Sequence, residues 1–258
     1  MLRRLFANPW FALALLALVF LAFEPTWIEL RAGGLPLDLW VQDHFYDFEA
    51  HRWMVDKDAQ PWNRLLYKGA LCALYALGAG LIALFLVPPR KWAAWGKADA
   101  WYADRWKVGY LLACIALLPT LVSVSKAVTD IYVPADTARY FGGKMAPHVR
   151  VLEHYPADFL ARRAAEGIRP GKSFPAGHAS GGFALMAFFF VWPGRWKWAG
   201  LALGLAVGWV TGIYKMMLGD HYLSHTLITC ALVWLGCVVL AQGREWGRGR
   251  RNAVKAGG

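Results

Sequence analysis

The chain has 258 residues, of which 58% are hydrophobic and only 17% charged, with 15 tryptophans and a formal net charge of +11. Apolar residues in such proportion, gathered in long blocks, exclude an ordinary soluble domain; the blocks read as membrane-spanning helices of about 20 residues each. The basic surplus falls in short segments between them, so it reads as an orientation signal and not as a nucleic-acid surface.

Six spans are predicted, at about 5–23, 69–87, 108–125, 174–192, 198–218 and 222–241. The fold class expected is an all-α, polytopic membrane bundle forming one domain over 1–258, with its chemistry in a core of about 108–241. The first span follows Arg3 and Arg4 and resembles a signal peptide, but Phe23-Glu24 lacks the small residues of a cleavage site and predicts an anchor. With both termini cytoplasmic, the inner segments hold 14 basic residues, among them Arg90, Arg105, Arg195 and Arg248, against three acids, Asp99, Asp104 and Glu245. The remaining charges cancel in the outer segments, which agrees with the positive-inside rule. Between the first two spans, Gly33-Gly34-Leu35-Pro36 predicts a break. Leu37 to Tyr46 then predicts a short amphipathic helix at the outer interface. His44, His51, His148 and His154 read as surface residues. Pro119 predicts a kink in the third span, and the long outer segment 131–173 predicts a solvated helix between turns. Cys72, Cys114, Cys230 and Cys237 all fall within spans and read as buried apolar groups.

The stretch Ser173-Phe174-Pro175-Ala176-Gly177-His178 carries the functional expectation. Pro175 fixes its own backbone, Gly177 permits close approach of a ligand, and a helix begins immediately afterwards. Free N–H groups and the helix dipole favour an anion at such a mouth. Three further residues fall at the same predicted membrane depth: Lys126 ending span three, Lys215 closing span five and His221 opening span six. His225 lies one helical turn beyond His221, on the same face. Ionisable groups this close to the hydrocarbon mark function. Two lysines suit a phosphoryl group, one imidazole can attack phosphorus, and the other can protonate the leaving oxygen. No cofactor is needed for that chemistry.

These residues resemble the type 2 phosphatidic acid phosphatase family, whose core is shared with vanadium haloperoxidases. Its first motif, Lys, six residues, Arg-Pro, is met by Lys126 and Val133-Pro134. Its second, Pro-Ser-Gly-His, is met by Pro175-Ala176-Gly177-His178. Its third, Ser-Arg, five residues, His, three residues, Asp, is met by Lys215, His221 and His225. The resemblance implies an integral lipid phosphatase of a divergent bacterial branch, in the inner membrane, with its site on the outer face. His221 would be the nucleophile and His178 the general acid, with Lys126, Lys215, Gly177 and Ala176 at the phosphoryl oxygens. Val133 removes an arginine, for which Lys172 or Lys144 could substitute. His225 stands where the family has an acid that orients the nucleophile, a duty that Asp136 or Asp130 could take over.

A site opening at the outer leaflet beside the aromatic interfacial segment suits a lipid phosphate such as undecaprenyl diphosphate, phosphatidylglycerol phosphate, phosphatidic acid or a lipid A phosphate, with membrane lipids as the partners and no nucleic acid. A phosphotransferase using a lipid or saccharide acceptor shares all these features. A zinc site at His178, His221 and His225, with Asp136 or Asp220, is disfavoured by the flanking lysines. A transporter or scaffold would more often carry its polar residues at mid-membrane.

Overall fold

The computed structural model describes residues 2–23, 35–57, 60–97 and 99–256. The break expected at Gly33-Gly34 lies outside them. The described chain is helical apart from one small hairpin. A short α1 (Leu2–Phe6) precedes α2 (Pro9–Phe23), α3 (Leu37–Asp43) and the hairpin strands β1 (Tyr46–Asp47) and β2 (Arg52–Trp53). Next come a π-helical turn, Asn63–Gly69, running into α4 (Ala70–Leu86), then α5 (Pro89–Ala94) and α6 (Arg105–Thr129). The chain closes with α7 (Ala157–Ala165), α8 (Gly177–Ala184), α9 (Phe188–Val191), α10 (Trp196–Met217) and α11 (Leu223–Ala256).

Among the described residues, four helices are long and apolar enough to cross a membrane: Asn63–Leu86, the helix beginning at Arg105, Trp196–Met217 and Leu223–Gly243. The expectation of six spans is therefore met in part. The first and fourth expected spans are the shorter apolar helices Pro9–Phe23 and Gly177–Val191. The described part of this first helix, the 15 residues Pro9–Phe23, covers roughly 22 Å. Its start is set by Asn8, whose side-chain oxygen accepts from Trp10 N at 2.9 Å, with Pro9 in the first helical position where its missing N–H costs nothing. The fourth segment is shortened because Phe174, Pro175 and Ala176 are not helical, and a 3₁₀ turn at Leu185–Ala187 divides what remains. The helix from Arg105 runs unbroken through Pro119, with Asp104 accepting from Trp106 N to cap its start.

Packing centres on α8 and α10, which approach along a row of small residues. Gly200, Gly204, Gly208 and Gly212 recur every fourth position on α10 and are all buried. This spacing lets two backbones come together without side chains between them. Helix α6 packs on the other side of α8, α11 closes the bundle, and α2 lies along α11. Leu111, Cys114, Phe183, Met186, Val233 and Cys237 form the centre of the core. All four cysteines are free, but Cys72 is exposed and Cys230 only half-buried, so burial holds for Cys114 and Cys237 alone.

A helix forms where expected, at Leu37–Asp43, but it buries the polar Asp38 and Gln42 beside Leu39 and leaves Trp40 exposed, serving as a clamp over one end of the bundle. Asp38 accepts from the backbone N and the hydroxyl of Ser224, 186 positions away, and so caps the start of α11. Burial raises the Asp38 carboxyl to about 6, with its two bonds to Ser224 opposing the shift. One turn on, Gln42 donates to the carbonyl of Met216 near the end of α10 at 2.8 Å. Asp43 pairs with Arg139 and accepts from the Tyr140 hydroxyl at 2.9 Å. The turn between α10 and α11 is thereby held from above. Within the predicted solvated segment, α7 forms with Phe159 buried and Asp158 exposed, while Arg162 donates to the carbonyls of Lys144 and Met145. His44, His51 and His154 are exposed as expected, whereas His148 is partly buried with its ring 5.0 Å from that of Tyr222.

Candidate active site

Four chain segments meet beneath the α3 clamp. The end of α6 supplies Lys126. Immediately after it, Asp130 accepts from Gly171 N at 2.8 Å and from Arg163, and Ser173 N donates to the carbonyl of Ile131 at 2.8 Å. Ala176 N donates to Thr229 Oγ1 of α11 at 2.8 Å. The stretch 173–178 is thus pinned to α6 on one side and to α11 on the other. Ala176, fully buried, precedes α8 without a side-chain cap, so the first-turn N–H groups of that helix keep no side-chain partner. A methyl group placed on Gly177 would lie 3.0 Å from Lys126 Nζ, so glycine here lets the lysine tip come close to the helix mouth.

His178 and His221 meet directly, with Nδ1 of the first 3.2 Å from Nε2 of the second. His221 is in the tight connection between α10 and α11, where Gly219 takes a positive φ of 73°. Lys215, in the last turn of α10, donates to Asp220 Oδ2 at 3.0 Å, and its ammonium is 4.3 Å from the centre of the Tyr67 ring. That ring meets the His178 imidazole edge-on, with centroids 5.2 Å apart. Lys126, His178, Lys215 and His221 are therefore assembled at one end of the bundle. Burial, followed by the fields of Lys126, His225, His178 and Lys215, holds His221 well below the ordinary histidine value of 6.5, so the ring is a neutral base.

His225 does not bond His221 directly; their ring centroids are 6.0 Å apart. Ser173 lies between them, its hydroxyl oxygen 3.1 Å from His225 Nδ1 and 3.4 Å from His221 Nδ1. Asp136 instead accepts from Lys144 Nζ at 2.9 Å, which occupies both residues with each other. Lys172 is exposed, and Asp130 holds Arg163. A cation that sequence reasoning passed over is Lys57, on the segment after β2, 3.3 Å from Asp220 Oδ1. Asp220 so bridges an inner lysine and an outer one. Nothing in the local sequence around Lys57 announces this, since its partner comes from the far end of the chain. Among the described residues, no three His, Cys, Asp or Glu side chains are grouped to hold a metal ion.

From this cluster an apolar cavity of about 600 Å³ runs between α4 and α6. Gly177, His178 and Tyr67 form its upper end, and Leu71, Ile115 and Pro119 line its depth.

Residues 107–248 match the family model described as the PAP2 superfamily, which covers more than half of the chain and all the residues of the cluster except Lys57 and Tyr67. The chain belongs to the PAP2 superfamily. No curated protein and no solved structure matches it. PAP2 proteins are generally phosphatases that act on phosphorylated substrates, often lipids, and with its long apolar helices this member is a membrane phosphatase in general character.

Proposed function

We propose that the protein hydrolyses a phosphate ester or diphosphate carried by a membrane lipid, through a phosphohistidine on His221 and without a metal. The observation that carries this reading is the 3.2 Å contact between His178 Nδ1 and His221 Nε2, flanked by Lys126 and Lys215. The lone pair of His221 Nε2 attacks phosphorus as the bond from phosphorus to the leaving oxygen breaks, and His178 gives that oxygen its proton. Water then attacks the phosphohistidine while His178 takes its proton; the N–P bond breaks, and orthophosphate and the free imidazole are restored. Lys126, Lys215 and the first-turn N–H groups of α8 hold the phosphoryl oxygens as charge develops. Lys57 supplies the third cation, in place of the arginine missing at Val133. Three lysines against the one carboxylate of Asp220 leave a surplus of two positive charges, which suits a phosphomonoester dianion.

The apolar cavity beside His178 supports a substrate whose chain stays in lipid while its headgroup enters the cluster. The lysine and arginine distribution supports an outer-facing site with both termini in the cytoplasm. Detergent-purified protein is expected to release phosphate from lipid phosphates much faster than from a water-soluble ester of the same leaving-group acidity. Vanadate is expected to inhibit and chelators to have no effect. Equal rates on soluble and lipid esters would remove the lipid assignment, and loss of activity to chelators would remove the metal-free mechanism.

The depressed pKa of His221 has a consequence for pH. The nucleophile must be neutral, so activity is lost as pH falls through its pKa, and burial has moved that pKa down. The acid limb of kcat/KM, once the substrate's own second ionisation is allowed for by titration, is expected below pH 6.5. A limb above that value would count against His221 as the attacking group.

A further inference from the structure

We propose that Ser173 is the positioning residue of His221: its hydroxyl fixes the imidazole in the tautomer that leaves Nε2 free to attack, and His225 acts only by holding that hydroxyl. The proposal rests on His221 being the nucleophile. Ser173 is fully buried, and its oxygen has three polar neighbours: the carbonyl oxygen of Asp220 at 3.2 Å, His225 Nδ1 at 3.1 Å and His221 Nδ1 at 3.4 Å. A hydroxyl has one proton and two lone pairs. The Asp220 carbonyl can only accept, so it takes the proton. Both lone pairs then face ring nitrogens, and each of those must carry its own hydrogen.

This assignment leaves His221 with hydrogen on Nδ1 and a lone pair on Nε2. It also settles the next contact, because His178 must then donate from Nδ1 to that lone pair across 3.2 Å. Every hydrogen bond from His178 through His221 and Ser173 to the Asp220 carbonyl runs in one direction, with no donor facing a donor. The opposite tautomer would put a hydrogen on Nε2 and leave nothing to attack phosphorus. A neutral histidine at position 225 thereby serves where a carboxylate would otherwise hold the nucleophile: it anchors the serine and bears no charge itself. The backbone supports the same geometry, since Ser173 N is tied to the Ile131 carbonyl and Asp220 N to the Lys215 carbonyl at 2.9 Å.

The test uses the full chain in detergent with nitrogen-15 histidine, the His221 signals being assigned by difference from His221→Gln. In the empty wild-type protein His221 is expected as the Nδ1–H form. Ser173→Ala should give a mixture of tautomers and lower kcat by at least tenfold, toward the ~10⁴-fold loss known when a catalytic histidine loses its tautomer, with KM little changed. Ser173→Thr, which keeps the hydroxyl, should retain the Nδ1–H form and most of kcat, and this guards against a Ser173→Ala that merely folds poorly. His225→Ala and Ser173→Ala should not add, because both act through one oxygen. An Nε2–H form in the wild type, or full kcat in Ser173→Ala, overturns the proposal; additive losses overturn the part given to His225. Undiminished activity in His221→Gln would instead reject the nucleophile assignment, and the tautomer spectra, which need no turnover, would still report on Ser173.

Discussion

Alanine in place of His221 is expected to reduce phosphate release by at least about 10⁴-fold, the scale on which covalent catalysts lose activity without their nucleophile. The argument is geometric. His221 is 2% exposed and held on two sides, by Ser173 at Nδ1 and by His178 at Nε2, so no neighbouring base can swing into its place. Lys126 and Lys215 would remain, so substrate should still bind; the loss belongs in kcat, with KM changing far less. Quenching the wild type in alkaline dodecyl sulfate during turnover of a phosphorus-32 substrate should leave alkali-stable, acid-labile label on the protein, and the variant should carry none. His178→Ala should also be severely impaired, by about 10²- to 10⁴-fold, but with more label when the leaving group is a good one, since attack then needs less proton help. Label retained in His221→Ala would transfer the role to another residue.

Leucine in place of Gly208 is expected to give the largest loss of stability. A methyl group at Gly208 would fall inside the contact distance of the Phe183 ring, and one at the facing Gly182 would lie 2.5 Å from Gly208 N. The two helices touch here through their backbones, so neither side can retreat without separating α8 from α10. Overpacking of this kind costs about 1–3 kcal/mol where side chains can shift, and more where they cannot. Because His178 lies in the first turn of α8 and Lys215 in the last turn of α10, the same separation widens the site. Thermal unfolding in detergent should show a shift of many degrees for Gly208→Leu. Gly80→Leu, at a position with open space around it, should show almost none. Similar shifts for both would mean that the glycine row has no special part in assembly.

Much of this arrangement could be read from the order of residues. Long apolar blocks separated by basic loops give membrane helices, because hydrophobic length and charge act locally. The stretch 173–178 and the spacing of Lys215, His221 and His225 could be read for the same reason. Other features depend on contacts between distant segments, which composition does not encode. Ser173 reads in the sequence only as the first residue of a turn; its contacts are to a carbonyl and a histidine of the α10–α11 connection and to His225 at the start of α11. Lys57 was one outer lysine among many until folding set it against Asp220. The expected duty of Asp136 met a nearer competitor in Lys144. The shortness of the fourth helix is not legible in the sequence, since a window over 174–192 counts apolar residues and does not see that its first three are not helical.

The carboxylate of Asp220 also bears on how the cationic recess holds together. Ammonium groups crowded into a poorly hydrated recess repel one another, by an amount that grows as water is withdrawn. With one of its oxygens on Lys215 and the other facing Lys57, Asp220 is a built-in counter-ion that lets the two ammonium groups share one recess. The recess therefore carries part of its own neutralisation, whether or not an anion occupies it.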